Sequence, residues 1–358
     1  MRDQSSPAFG DSLRAHASRI PDELAFGFLS DGQTETCSRL QRGEPDAELP
    51  GTSFRQWAHA LHRYAARPEL RDQIPAWAKA LAGPADALPG DPDRDGGLEA
   101  DACTVTRGLT VTETDDLLQR AGAAYRTHTD ELLLAALITA LHGWAGSTRV
   151  RIDLEGHGRD VLADLDVSRT VGWLTTFTPV LFDITGLRPD ADPGAVLIAV
   201  KEQRRGVPGG PADFGLLRQQ LGAEALAGLP AAEMIGFNYL GRLDRIGGDR
   251  FGLAPAGGGA WRGPANRRPY LLEVNCHVLA GRFEIVLTCS QTVRRQQSMT
   301  ALADGFVVAL RALVAHCTTS GAGDYTPSDF PLAGFDQRSL AAALDQFRGT
   351  PDHGQETT

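Results

Sequence analysis

Apolar and polar residues alternate through Val150-Arg151-Ile152-Asp153-Leu154-Glu155, and a period of two predicts a half-buried strand. Glu155 then falls at the end of that strand, on the face opposite Ile152 and Leu154. Short apolar runs also predict strands over Cys103–Leu109 and Gly172–Asp183, and residues 273–279 and 283–289 read as a hairpin turned around Gly281. Elsewhere the period is helical. Ser53 can cap a helix through Trp57, Leu61 and Tyr64 that ends at Pro68, and Thr112 opens another. Thr127 or Thr129 caps the next, with Asp130 and Glu131 in a first turn where the helix dipole favours negative charge. Leu132, Leu133, Leu134, Leu137, Ile138 and Leu141 leave that helix no polar face, which predicts burial. Further helices are expected over 192–205 and 214–221, and from a Ser298 cap through Leu302, Phe306, Leu310, Leu313 and Val314. The Gly-, Pro- and Asp-rich stretch 83–97 reads as an exposed loop.

Composition narrows the function classes. With 358 residues, 42% of them hydrophobic, the chain can bury a sizeable core. A net charge of -10 and a pI near 5.4 argue against electrostatic binding to nucleic acid, which needs clustered cations. Cys37, Cys103, Cys276, Cys289 and Cys317 are an odd set without C-x-x-C spacing, so free thiols are expected rather than a disulfide framework or a zinc ribbon. Cys276 and His277, adjacent on a strand, point to opposite faces and make a poor metal site, so no metal is expected. The N-terminus has no apolar signal region, and the most apolar stretch, Leu132–Leu141, is far short of a bilayer span. A cytoplasmic protein without a membrane partner is the expectation. Neither Lys79 nor Lys201 lies in a phosphate-binding loop, and there is no Gly-x-Ser-x-Gly elbow.

Three short islands carry the candidate chemistry: Glu155-Gly156-His157-Gly158-Arg159, Ser168-Arg169-Thr170-Val171-Gly172-Trp173 and Phe237-Asn238-Tyr239-Leu240-Gly241. A carboxylate at a strand end, followed by two glycines, sits on backbone that can turn tightly and admit a substrate closely, which suits a general base. The plainer reading of Glu155 is a loop carboxylate paired with Arg159 or Arg169. His157, between two glycines, reads as readily as a loop histidine bonded to backbone. Arg169 has a plain reading as partner to Asp164 or Asp166, and Asn238 and Tyr239 as strand residues with their polar tips bonded to backbone. Trp173 and Phe177 are expected in the core.

The three islands in this order resemble the epimerization domains of nonribosomal peptide synthetases, relatives of the condensation domains. The resemblance covers roughly residues 40 to 335, and Phe237–Gly241 in particular separates epimerization from ordinary condensation domains. It implies an α/β, chloramphenicol-acetyltransferase-like fold, in which two similar lobes form a V with the active site at their junction. Members carry a double histidine followed by Asp-Gly upstream of the three islands, and no two histidines are adjacent here. The resemblance therefore implies the C-terminal lobe with only part of the N-terminal one. Glu155 takes one of two proton-handling roles and the other has no occupant. Arg169, Asn238 and Tyr239 match positions linked to the active-site channel, where a cation and amide and hydroxyl donors serve an enolate oxygen or a phosphopantetheine arm. His157, Arg159 and Trp173 are motif-adjacent. Leu174-Thr175-Thr176-Phe177-Thr178 departs from the family's usual wording and puts the channel lining in question.

Residues 1–36 instead resemble the start of an adenylate-forming ligase of the fatty acyl-AMP type, with a junction near Cys37 to Leu40; the alternative is an unrelated short leader. The expected organisation is a ligase-like remnant or leader over 1–39, residual N-lobe helices and a linker loop over 40–100, the C-terminal lobe over 101–335 and a polar tail over 336–358. The expected function is a truncated epimerization domain, of a line that inverts the α-carbon of carrier-bound aminoacyl or peptidyl thioesters, inactive by itself. No cofactor is expected to bind directly, the substrate arriving on the phosphopantetheine arm of a peptidyl carrier protein or from a neighbouring synthetase module. The alternatives are a non-catalytic carrier-protein or synthetase-docking module, and half of a split epimerase completed in trans.

Overall fold

The alternating stretch at 150–155 does form a strand, and it becomes one of six in a single mixed sheet. The computed structural model describes residues 51–89, 97–225, 235–243, 262–291 and 296–348. The ligase-like segment, the 37–40 junction and the end of the tail lie outside these residues. Three helices come first: α1 (Phe54–Ala65), α2 (Pro68–Arg71) and α3 (Ile74–Ala80). Ser53 caps α1 through a reciprocal pair with Gln56, as expected. Pro68 closes α1 and opens α2, because its missing N–H costs nothing in a first turn.

Strand β1 (Ala102–Gly108) leads into α4 (Val111–Asp116), whose cap is Thr110 rather than Thr112, again in a reciprocal box with Glu113. A wider turn over Leu117–Ala121 passes into α5 (Gly122–Tyr125), and then α6 (Thr129–Ala145) begins at His128, whose N–H donates to Glu131 Oε2 at 2.8 Å. Strands β2 (Arg149–Gly156) and β3 (Thr176–Asp183) follow, then α7 (Pro193–Arg205) and α8 (Asp213–Ala225). Strand β3 starts four residues later than the pattern suggested, since 172–175 crosses the Gly156–Gly158 segment as loop. The chain continues through β4 (Ile235–Arg242), β5 (Leu272–Leu279), β6 (Arg282–Ser290), α9 (Gln296–Thr318) and α10 (Gln337–Arg348). Ser298 sits inside α9 rather than capping it, and its hydroxyl accepts the Trp144 indole N–H at 3.0 Å.

The strands run in the order β1-β6-β5-β4-β2-β3, with the β2–β4 and β4–β5 pairs parallel and the others antiparallel. Pleating sends Ile152, Phe237, Val274, Cys276, Ile285 and Leu287 to one face, where α6, α7 and α9 pack. The apolar run of α6 is buried throughout, and each fully buried leucine contributes on the order of 2 kcal/mol. Helix α9 contains a longer apolar stretch than Leu132–Leu141: Gln297–Thr318 has the length and composition to cross a bilayer. Its Leu302, Ala303, Phe306 and Leu310 are fully buried in the core.

The other sheet face carries the polar positions. Helices α1, α2 and α3 cover its β3 end through a small cluster in which Trp77 meets Phe214 of α8 at 5.0 Å between ring centroids. Buried Asp213 ties these pieces together, accepting from the Tyr64 hydroxyl and from Gln73 Nε2, both at 2.7 Å. Burial together with that bond pushes the Tyr64 phenol up to about 12. The four described cysteines are buried free thiols; Cys103 and Cys289 face each other across β1–β6 with sulfurs 3.5 Å apart.

Candidate functional site

Between α8 and the polar sheet face lies a cavity of about 480 Å³, lined chiefly by Asp153, Glu155, Asn238, Tyr270 and Glu273, with Phe177 at one side. The register explains why these side chains meet. Asp153 and Glu155 share the polar face of β2; parallel pairing sets Gly236 beside Asp153, and Asn238 follows two residues on, beside Glu155. Pairing of β4 with β5 adds Glu273 and Asn275. Antiparallel pairing with β3 brings Phe177 opposite Glu155.

Glu155 is half-buried and accepts a hydrogen bond from the Asn238 side chain. Its carboxyl is held above the usual carboxylate range, first by burial and then by the nearby charges of Asp153 and Glu273, against the opposing pull of Asn238 and Arg262. Asp153 is shifted the same way by burial, although the Tyr270 hydroxyl, donating to Oδ2 at 2.6 Å, and Arg218 both favour its ionised form. Burial and Asp153 in turn drive the Tyr270 phenol far up, so it is a fixed donor. A carboxylate of raised proton affinity beside an amide donor can take a proton from carbon and steady the charge that develops.

The motif glycines have a local reason. Gly158 has φ +64°, and a Cβ there would lie 1.7 Å from the Leu174 carbonyl oxygen. The space beside it is filled by the chain itself rather than kept for a ligand. Arg159 holds the same loop closed, its guanidinium donating to the carbonyls of Val167, at 2.5 Å, and Thr170.

The structure separates the residues that the sequence grouped. Glu155 and Asn238 line the cavity; Tyr239, the next residue on β4, faces the helical layer, half-buried and bonded to Thr129. Strand alternation requires that split. Arg169 is not among the cavity-lining residues, and its charge helps hold the Asp166 carboxyl below the usual range. His157 is an exposed loop residue whose Nδ1 accepts the Arg159 backbone N–H at 3.0 Å. Trp173 is not core: 75% of it is exposed, while its neighbour Leu174 turns inward beneath Trp57 and Val167. Phe177, also expected in the core, is exposed at the cavity wall. Asp153 and Tyr270, also at the cavity, lie outside the three islands. Strand alternation placed Asp153 on the face of Glu155, whereas no local pattern marks Tyr270.

No histidine lines the cavity among the described residues; His59 borders a separate surface hollow, beside Gln56 and Arg63. Among the described residues no group of three His, Cys, Asp or Glu side chains is placed to hold a metal ion. Cys276 is buried in the core with its thiol pushed up by burial, and His277 lies 3.4 Å from Glu284 on the other face.

A family model for the condensation domain matches residues 20–330. The chain belongs to the condensation-domain family. The match begins inside the stretch that resembles a ligase, well before the expected junction at 37–40. A linear gramicidin synthase of Brevibacillus parabrevis is 38% identical over 333 residues, covering 90% of this chain and 6% of that protein. Chondramide synthase cmdD of Chondromyces crocatus is 34% identical over 343 residues, 93% of this chain and 8% of that protein. This condensation-family chain thus spans less than a tenth of either curated relative. Among solved structures, the epimerization domain from the third module of tyrocidine synthetase B superposes with a TM-score of 0.70 at 29% identity, over 78% of this chain and 63% of that one. A condensation domain of the enacyloxin polyketide synthase shares the fold, with a TM-score of 0.60 at 17% identity over 90% of this chain and 68% of that one. The mixed sheet with its helical layer is thus the expected α/β condensation/epimerization architecture.

Proposed function

We propose that this condensation-family chain is of the epimerization type, with Glu155 as the base that acts on the α-proton of an aminoacyl or peptidyl thioester. The substrate arrives on the phosphopantetheine arm of a carrier protein. The observation that carries this reading is the bond from Asn238 to Glu155 inside the cavity, since it joins the Glu155 island to Phe237–Gly241, the island that in the resemblance separates epimerization from condensation domains. Likeness to a solved epimerization domain supports it. Inversion needs a proton carrier on each face of the carbon, and among the described residues no histidine lines the cavity to partner Glu155. On this reading the chain is inactive by itself, and a second polypeptide bearing the double histidine would complete it.

The test is chiral analysis of a carrier-bound aminoacyl thioester. The chain alone should leave the L form unchanged. With a separate double-histidine lobe added, inversion should appear and fall at least about 100-fold in Glu155→Gln. Inversion by the chain alone would overturn the inactivity, and inversion indifferent to E155Q would overturn the role of Glu155.

A second reading, a non-catalytic docking module, draws on the exposed Phe54, Val171 and Trp173 near Gly172. Titration against a phosphopantetheinylated carrier protein tests it, and absence of binding removes it.

A further inference from the structure

A Cβ on Gly236 would lie 2.6 Å from both Cδ2 and Cε2 of Tyr270, so the bare glycine lets the phenol ring lie on strand β4. From that seat the hydroxyl reaches Asp153, the residue beside Gly236 in the parallel register. One pleat further along, Asn238 serves Glu155 in the same way. The two carboxylates stand two residues apart on one strand face, roughly 6.6 Å along the chain, each with its own donor. The segment leading to Tyr270 is pinned by four charge-assisted contacts. Arg262 reaches Glu99 and Glu273 at 2.8 and 2.7 Å, and Arg268, with its side chain 1% exposed, reaches the same pair at 3.1 and 2.6 Å.

We propose that Asp153 is a positioning residue for Glu155: its buried charge, fixed by the Tyr270 hydroxyl, governs when Glu155 accepts a proton. The inference deepens the assignment of Glu155 as base and rests on it. Among the described residues, the charged and titratable groups facing Glu155 are Asp153 on β2, Glu273 on β5, and Arg262 and Tyr270 from the loop; those facing Asp153 are Tyr270, Arg218 of α8 and Glu155 itself. A second negative charge at this range disfavours ionisation of the first. Asp153 therefore keeps Glu155 a stronger base than burial alone would, and Tyr270 keeps Asp153 charged to do so.

The experiment is an NMR titration of the full chain labelled with carboxyl-¹³C glutamate, the Glu155 resonance being assigned by its loss in E155Q. Asp153→Asn should lower the Glu155 midpoint by about one pH unit, whereas Asp153→Glu, which restores the charge, should return it towards wild type. Tyr270→Phe should also lower it, because Asp153 without its donor holds a proton and no longer repels. An unmoved midpoint in D153N, with the remaining spectrum unchanged, overturns the proposal. Should D153N fail to fold, Y270F, which keeps the ring on Gly236, decides by the same comparison. No turnover is needed, so the two ideas fail separately. The expected midpoints without any E155Q-sensitive inversion would sink the base role alone, and inversion with unmoved midpoints would sink only the role of Asp153.

Discussion

Lys201 Nζ donates to both carboxylate oxygens of Asp329, at 2.7 and 2.8 Å, with the lysine side chain fully buried and the aspartate side chain 6% exposed. This pair ties the segment after α9 back onto α7. A third bond, from Nζ to the Tyr125 carbonyl at 2.7 Å, fills the ammonium's donor capacity.

Removing one partner of such a pair strands the other. Asp329→Ala should cost about 3–5 kcal/mol in chemical denaturation and release the 325–332 segment to proteolysis. Burial works against ionisation of Asp329, but the Lys201 bond and the Thr326 N–H outweigh it, and its carboxyl lies below the usual range. A depressed folded-state pKa gives stability that is present above the unfolded value, about 3.9, and lost as pH falls through the lower folded value. The wild-type advantage over D329A should therefore shrink in acid below about pH 4, as read by denaturation midpoints.

Asp153 and Glu155 have the opposite sign. Both are raised in the folded chain, so their contribution is fully present below the unfolded carboxylate range and declines as pH rises through their folded values. Asp153→Asn and Glu155→Gln should gain stability relative to wild type as pH rises above the unfolded carboxylate range, about 4. A gap that narrows over that rise would show that burial is not the governing cause.

Gly158→Ala should destabilise the chain by more than about 2 kcal/mol, because its methyl would fall 1.7 Å from the Leu174 carbonyl oxygen on backbone already at φ +64°. Backbone, unlike a flexible side chain, cannot step aside cheaply. A thermal melt shifted by only a degree or two would contradict the packing described for 157–175.

Trp77 and Trp173 provide an internal comparison. Trp77 is 1% exposed against Phe214, and Trp77→Ala should cost about 3–5 kcal/mol. Trp173 is 75% exposed, and Trp173→Ala should change stability by less than about 0.5 kcal/mol. Equal losses in urea denaturation would mean that Trp173 is covered in solution.

Local wording determined the elements and their faces. The period of two at 150–155 determined that Asp153 and Glu155 share a side, and the unbroken apolar run of α6 determined its burial. The ordered islands determined the family resemblance. Tertiary structure alone decided which islands meet. Parallel pairing lays β4 beside β2 although some 80 residues of chain separate them, which brings Asn238 to Glu155 and turns Tyr239 away. It also decided that Tyr270 from a separate loop would hold Asp153 and that Trp173 would face outward. The reason is physical: periodicity reports what one strand does with its own two faces, while strand order, register and the seating of loops depend on long-range contacts that no local window contains.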